Sequence, residues 1–139
     1  MPSGREKRRD ERGATTVEVV ITAPALLLAL MMIVQFGLAA HANSVARAAA
    51  EEGASHARRF DGSVGAGAER THTYLDELGP SIIRDRAVSV ERTAETATVT
   101  VTGTVISLVP GLDLSVSQSS SGPVERHVPA ARAAQVGPQ

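Results

Sequence analysis

The chain of 139 residues contains no cysteine and no tryptophan, and only one tyrosine and two phenylalanines. Without cysteine it forms no disulfide bond and offers no thiolate to a metal, and the redox state of its compartment leaves no mark on the sequence. Aromatic side chains usually supply the largest buried areas of a core. Any folded domain should therefore be small and aliphatic, and the length allows one domain at most.

Charged residues are absent from one long stretch. Between Val19 and Ala46 there is no Asp, Glu, Lys or Arg, and a helix needs about 20 mainly apolar residues to cross the hydrocarbon core of a bilayer. Ahead of this stretch, residues 1–12 hold five basic and three acidic side chains, and a basic flank favours the cytoplasmic side. We expect a single-pass protein of the cytoplasmic membrane, with its N-terminus in the cytoplasm and its C-terminal part outside.

No pattern of residues indicates an enzyme. No serine lies in a G-x-S-x-G motif, and the glycines of residues 65–67 lack the helix start that a phosphate-binding loop requires. With a net charge of −1, the chain has no excess of basic residues to attract nucleic acid. We expect no catalytic residue, no cofactor, no metal and no nucleic-acid partner. The histidines also lack metal-binding spacing, since they are scattered at His41, His56, His72 and His127.

A single carboxylate, Glu18, lies at the entrance of the uncharged stretch. A charge inside a membrane costs about 2.5 kcal/mol or more unless something partners it, so such residues are functional candidates. The alternative is that Glu18, at the very start of the span, extends its carboxylate to the lipid headgroups and needs no partner. The residue itself leaves both interpretations open.

The residues around Glu18 resemble a known family. A basic leader ends at Gly13, the small residue Ala14 follows, Glu18 is the fifth residue after the glycine, and an apolar helix comes next. This is the pattern of type IV pilin precursors and pseudopilins. More narrowly, G-A-T-T-V-E-V-V-I-T-A-P-A-L-L, with Pro24 early in the span, is similar to the TadE-like minor pilins of the tight-adherence (Flp) pilus machinery. The resemblance is specific over residues 12–59.

This resemblance implies a function and a set of partners. A prepilin peptidase would cut between Gly13 and Ala14, and Glu18 would pair with the new amine on Ala14 of a neighbouring subunit. The implied partners are that peptidase, other pilin or pseudopilin subunits, the pilus assembly platform and membrane lipid. The protein would act in Flp-type pilus assembly as a minor pilin or pseudopilin. The sequence leaves open whether the protein enters the extracellular pilus. It also leaves open whether the protein acts in a type II secretion pseudopilus instead.

Two other interpretations remain. The tripeptide A-H-A at residues 40–42 fits a signal peptide cut before Asn43, which would release a soluble protein. However, the apolar stretch exceeds the usual length of about 7 to 15 residues for the apolar region of a signal peptide, and a signal peptide does not need Glu18. An uncleaved single-pass anchor for an outer binding domain would explain the helix but leaves Gly13 and Glu18 unexplained.

The chain as a whole predicts an α+β fold. The division is a basic, disordered leader at residues 1–13, a transmembrane and extended helix at 14–60 with a kink at Pro24, a small outer domain at 61–118 and a flexible tail at 119–139. After a glycine-rich break, a short helix should run over residues 69–78. Alternating valine and threonine then predict a three-stranded antiparallel sheet, with a turn at residues 92–95 and a third strand over 112–116.

Small residues recur at helical spacing on the outer part of the long helix. Such a seam lets another helix approach closely. It either packs on the protein's own outer domain or forms an assembly face for other subunits, and the sequence leaves both open. The seam consists of Ala42, Val45, Ala49, Gly53 and Ala57, and ends at Phe60.

Overall fold

The structure, a computed structural model, describes the backbone of residues 5–126 and the side chains of residues 17–126. Residues 1–4 of the predicted leader and residues 127–139 of the predicted tail lie outside this part. The predicted α+β architecture is confirmed, because a long helix and a short helix pack with a three-stranded antiparallel sheet of order β1-β2-β3. The elements are α1 (Arg5–Arg58), α2 (Val64–Leu78), β1 (Ile83–Arg92), β2 (Thr96–Val105) and β3 (Ser115–Pro123).

Helix α1 begins earlier than the sequence predicted. It has 54 residues and starts at Arg5, inside the segment expected to be a disordered leader. The sequence predicted a start at Ala14. Residues 5–12 are mainly Arg, Lys and Glu, which are good helix formers, and extending an existing helix is far easier than starting one. The helical assignment continues through Pro24, while a kink at that residue stays a prediction.

Helix α2 is capped inside the glycine-rich segment. The Ser63 Oγ accepts a hydrogen bond of 3.0 Å from the Ala66 N–H, and this contact satisfies one of the unpaired amides at the helix start. The helix therefore begins at Val64, whereas the sequence predicted a start at Glu69. Its end agrees with the prediction, since the glycine after Leu78 forms the C-cap.

Strands β1 and β2 form the predicted hairpin, with Val90 opposite Val99 and Val88 opposite Val101. Strand β2 lies in the centre of the sheet and pairs on both sides. Its alternation places every second residue on the face that packs against the helices, which is the basis of the sequence prediction. The buried residues of this strand are Ala97, Val99, Val101 and Val105.

The third strand lies further along the chain than the sequence predicted. Its register on β2 runs from Ser115 opposite Thr104 to Pro123 opposite Thr96. The strand predicted at residues 112–116 is therefore corrected to residues 115–123. The tail predicted to be flexible from residue 119 is corrected over residues 119–123, which belong to this strand. Serines give no alternating apolar pattern, so only Val116, which is 1% exposed, signals a core-facing position. The other residues of β3 are ordered by main-chain hydrogen bonds to β2, whose apolar alternation is clear in the sequence.

The small-residue seam of α1 packs on the protein's own domain. Ala42, Ala49 and Ala57 are fully buried, so for these residues the intramolecular alternative is confirmed and the assembly-face alternative is wrong. Phe60 lies outside the seam and is 69% exposed. The core cluster between α1, α2 and the sheet is made of Ala42, Val45, Ala46, Ala49, Ala50, Ala54, Leu75, Ile83, Val99, Val101, Val105 and Val116.

Candidate functional site: the apolar segment of the long helix and its attachment

Residues 17–34 of α1 form what we call the apolar segment. Its large aliphatic side chains are between 44% (Val34) and 69% (Ile33) exposed. They lie on every side of the helix, since consecutive residues such as those at 26–28 point in directions about 100° apart. A helix that is apolar all round suits a membrane or the centre of a large protein, and not the edge of a small domain. The helix is long and apolar enough to cross a membrane.

The part of α1 that follows the apolar segment, residues 35–58, is what we call the docked half. The candidate span Val17–Arg58 contains 42 residues, or about 63 Å of helix, twice the hydrocarbon thickness of about 30 Å. A crossing of about 20 residues that begins at Val17 ends near Phe36. Burial changes at the same place, because Gln35 is fully buried whereas Val34 is exposed. Length and burial therefore both put one end of such a span at the start of the docked half.

Gln35 joins this boundary to the sheet. Its Nε2 donates to the Ile106 carbonyl oxygen at 3.1 Å, and its Oε1 accepts from the Leu108 N–H at 2.7 Å. A buried amide without such partners is unfavourable by about 1 to 3 kcal/mol, and here both ends of the amide are used. Sequence reasoning missed Gln35. The sequence does show a single amide side chain among apolar residues. This pattern predicts that the amide has a buried hydrogen-bond partner, but it does not indicate which residue the partner is.

A second amide attaches β3 to the same helix. The Asn43 Nδ2 donates to the Ala39 carbonyl oxygen at 2.9 Å, and its Oδ1 accepts from the Gln118 Nε2 at 2.9 Å. Asn43 follows Gln35 by about two helical turns, so both amides lie on one broad face of α1. The two side chains hold the loop after β2 and strand β3 against that face.

Far from the apolar segment, an ion pair joins α1 to α2. The Arg70 Nε donates to the Glu52 Oε1 at 2.9 Å, and the His56 Nε2 lies 3.6 Å from the same oxygen. The hydrogen bond from Arg70 holds the pKa of Glu52 below its ordinary value of 4.5. Because both side chains are about one third exposed, the pair contributes roughly 1 kcal/mol or less to stability.

The predicted site residues all lie on α1. Gly13 and Ala14 precede the apolar segment, while Glu18 and Pro24 lie within it, and Glu18 is exposed. Ala14 and Glu18 are four positions apart, which puts them on one side of the helix. Cleavage after Gly13 and pairing of Glu18 with a neighbour stay predictions.

The histidines are not brought together as ligands. Among the described residues, no group of three or more His, Asp or Glu side chains has an arrangement that would hold a metal ion. His127 lies outside the described residues.

Comparison with models of protein families finds that residues 13–55 match the family described as TadE-like protein. Comparisons with curated proteins and with solved structures found no match. The matched part begins at Gly13, contains Glu18 and Pro24, and ends three residues before α1 does. It covers the apolar segment and most of the docked half but not the sheet. The resemblance predicted from the sequence is therefore confirmed, and over residues 13–55 this chain is similar to TadE-like proteins.

Proposed function

We propose that the protein is a minor pilin or pseudopilin that acts in the assembly of a Flp-type pilus. The observation that carries this proposal is the position of Gly13, Ala14 and Glu18 at the start of an exposed apolar helix, within the part that matches TadE-like proteins. In this proposal residues 17–36 cross the cytoplasmic membrane, the N-terminus is cytoplasmic and the sheet lies outside. The protein is a substrate of processing and a structural component, not a catalyst.

Processing and assembly form one mechanism in this proposal. A prepilin peptidase cuts after Gly13 and leaves a charged amine on Ala14, at the start of the remaining helix. The Glu18 carboxylate of another subunit is expensive in a membrane by itself, whereas an amine and a carboxylate attract strongly in a medium of low dielectric constant. Since Ala14 and Glu18 are about 6 Å apart along the helix axis, this pairing shifts neighbouring helices by about one turn.

Two observations weigh against a secreted, soluble product. Cleavage before Asn43 would remove Gln35 and leave the Leu108 N–H without its acceptor. It would also cut through residues 13–55, which match one family model as a continuous unit. An uncleaved anchor would keep Gln35 and is distinguished from our proposal only by the fate of residues 1–13.

The test is the pair of variants Glu18→Ala and Glu18→Gln in a piliated host. We expect both variants to be inserted and cut after Gly13 but to lose crosslinking to pilin partners and pilus assembly. Removing one member of a buried charge pair costs about 3 to 5 kcal/mol, because the other charge is stranded. Glu18→Gln is the sharper variant, since it keeps the size and hydrogen bonding of the side chain and removes only the charge.

Glu51→Gln is the matched control. Glu51 lies on the docked half, is 55% exposed and pairs only with Arg47 one turn away, so its loss should leave assembly unchanged. A Glu18→Gln variant that is processed, inserted and fully competent for piliation would refute the charge pairing.

A further inference from the structure

The loop between β2 and β3 contacts α1 at the level where a membrane span would end. Gln35 holds this loop through Ile106 and Leu108, and Gln35 follows Val17 by about 27 Å of helix. The hydrocarbon core of a bilayer is about 30 Å thick. The next amide contact between α1 and the sheet, at Asn43, lies about 12 Å further out. The loop is thus at the depth of the outer membrane interface.

The composition of this loop suits lipid better than water. Residues 106–112, which we call the apolar loop, are the part of this connection that precedes the exposed Asp113; they include Ser107 and Gly111 but no charged residue, and the other five are apolar. Leu108 is 42% exposed, and Pro110 is also exposed at the tip. Burying such side chains in an apolar environment is favourable by about 25 cal/mol per Å². The apolar residues are Ile106, Leu108, Val109, Pro110 and Leu112.

Two backbone amides of the loop are paired with groups outside the loop. The Ile106 N–H donates to the Ile82 carbonyl oxygen at 2.9 Å, and the Leu108 N–H donates to Gln35. Irregular backbone near the hydrocarbon region is tolerated only where its polar groups have partners within the protein. These bonds let the loop approach lipid without exposing the two amides to it.

The tip of the loop is closed by a tight turn. The Leu112 N–H donates to the Val109 carbonyl oxygen at 3.1 Å, Pro110 has no N–H, and Gly111 has a φ of 80°. Proline followed by glycine with positive φ is the arrangement of a type II turn. The Ser107 Oγ lies 2.7 Å from the Val109 carbonyl oxygen. The turn therefore presents apolar side chains, while the Leu112 N–H, the Val109 carbonyl oxygen and the Ser107 hydroxyl are paired with one another.

We propose that the apolar loop is a second membrane contact, which inserts Leu108 and Pro110 into the outer leaflet beside α1. The occupant is lipid because the loop continues the apolar surface of the helix at the depth where the span ends. Gln35 is the positioning residue, since it fixes the loop at that depth. This inference rests on the proposed function, in which α1 crosses the membrane.

The absence of native cysteine permits a direct test with single-cysteine variants. Leu108→Cys, in the full chain, is labelled with an environment-sensitive fluorophore and reconstituted in vesicles of phosphatidylethanolamine and phosphatidylglycerol. Quenching is measured with spin-labelled lipids that carry the spin near the headgroup or deep in the acyl chain. The control inside the span is Leu27→Cys, an exposed position near the middle of residues 17–36, and the aqueous control is Ala94→Cys, which is exposed in the hairpin turn at the far end of the sheet.

We expect the label at residue 108 to be quenched by the shallow spin label, the label at 27 by the deep one, and the label at 94 by neither. If residue 108 behaves like residue 94 while residue 27 is quenched, the loop lies in water and the inference is wrong, although the span stands. If residue 27 is not quenched either, the proposed span fails and the inference fails with it.

The role of Gln35 is tested by adding Gln35→Leu to Leu108→Cys. Leucine has a similar volume but neither hydrogen-bonding group, so we expect loss of shallow quenching at residue 108. The same substitution added to Leu27→Cys should leave deep quenching unchanged. Full shallow quenching at residue 108 without Gln35 would show that this residue does not set the depth of the loop.

Discussion

Replacement of Gly53 by alanine should destabilise the packing of α1 on α2, although alanine is the better helix former. A Cβ atom at Gly53 would overlap the Thr71 Oγ1 and lie 2.9 Å from the Gly67 carbonyl oxygen, a backbone atom that cannot rotate away. Thr71 is fully buried, and its hydroxyl donates to that same carbonyl oxygen at 2.8 Å. Relief of the overlap must therefore either break this hydrogen bond or move the helices apart.

The expected magnitude follows from three opposing effects. Overpacking of a close contact costs about 1 to 3 kcal/mol, and disturbance of a buried hydrogen bond adds about 1 kcal/mol. Alanine at an unhindered position inside a helix gains about 1 kcal/mol over glycine. We expect the free energy of unfolding of Gly53→Ala to fall by about 1 to 3 kcal/mol.

The assay is urea unfolding of the full chain in detergent micelles, followed by the fluorescence of Tyr74. This residue is the sole tyrosine of a chain without tryptophan, and it packs against the core from α2. Gly65→Ala is the matched control, because a Cβ there would meet only the Ser63 Oγ at 3.8 Å. It should cause no loss of stability.

A double-mutant cycle identifies the cause of the effect. In a Thr71→Ala background the overlapping oxygen is gone, so Gly53→Ala should cost less than it does in the wild-type chain. A Gly53→Ala variant that equals or exceeds the stability of the wild-type chain would refute the close approach of the two helices.

Three further predictions concern topology, processing and pH. A reporter fused after Arg59 should be active only outside the cytoplasm and one fused after Arg12 only inside, as the basic flank requires; equal activity on both sides would contradict a single crossing. Gly13→Leu should leave the unprocessed precursor in the membrane, and its normal cleavage, seen by intact mass, would count against the leader assignment. Because Arg70 lowers the pKa of Glu52 below 4.5 in the folded state, Glu52 contributes stability above about pH 4.5 that is lost as pH falls through its folded-state pKa. The difference in unfolding free energy between the wild-type chain and Glu52→Gln should therefore shrink on acidification, and a constant difference would contradict the pairing.

The elements with a strong repeating pattern were predictable from the sequence. The uncharged stretch beginning at Val19 required a long apolar helix, and alternation at Val99 and Val101 marked the central strand with its buried face. The glycine after Leu78 marked the end of α2. In each case the signal is local, because it lies in the residues of the element itself or in the residue directly after it.

The remaining features depend on partners distant in the sequence. The two backbone partners of Gln35 lie 71 and 73 residues away, and no local pattern points to them. The serines of β3 carry no apolar alternation and are ordered by pairing with β2. The start of α2 was misplaced because Ser63, a cap, lies among glycines that also suit a loop. Gly13 was identified through a family resemblance, and Glu18 through the cost of a charge inside a membrane together with that resemblance.

The N-terminus of the mature protein, determined in its native host by N-terminal sequencing or intact mass, shows directly how the precursor is processed. Processing as a pilin-like precursor predicts a chain that begins at Ala14, with Glu18 close behind the new amine. A chain that begins at Asn43 would establish secretion after a signal peptide. A chain that retains residues 1–13 would establish a plain membrane anchor, and either of these results would contradict the account.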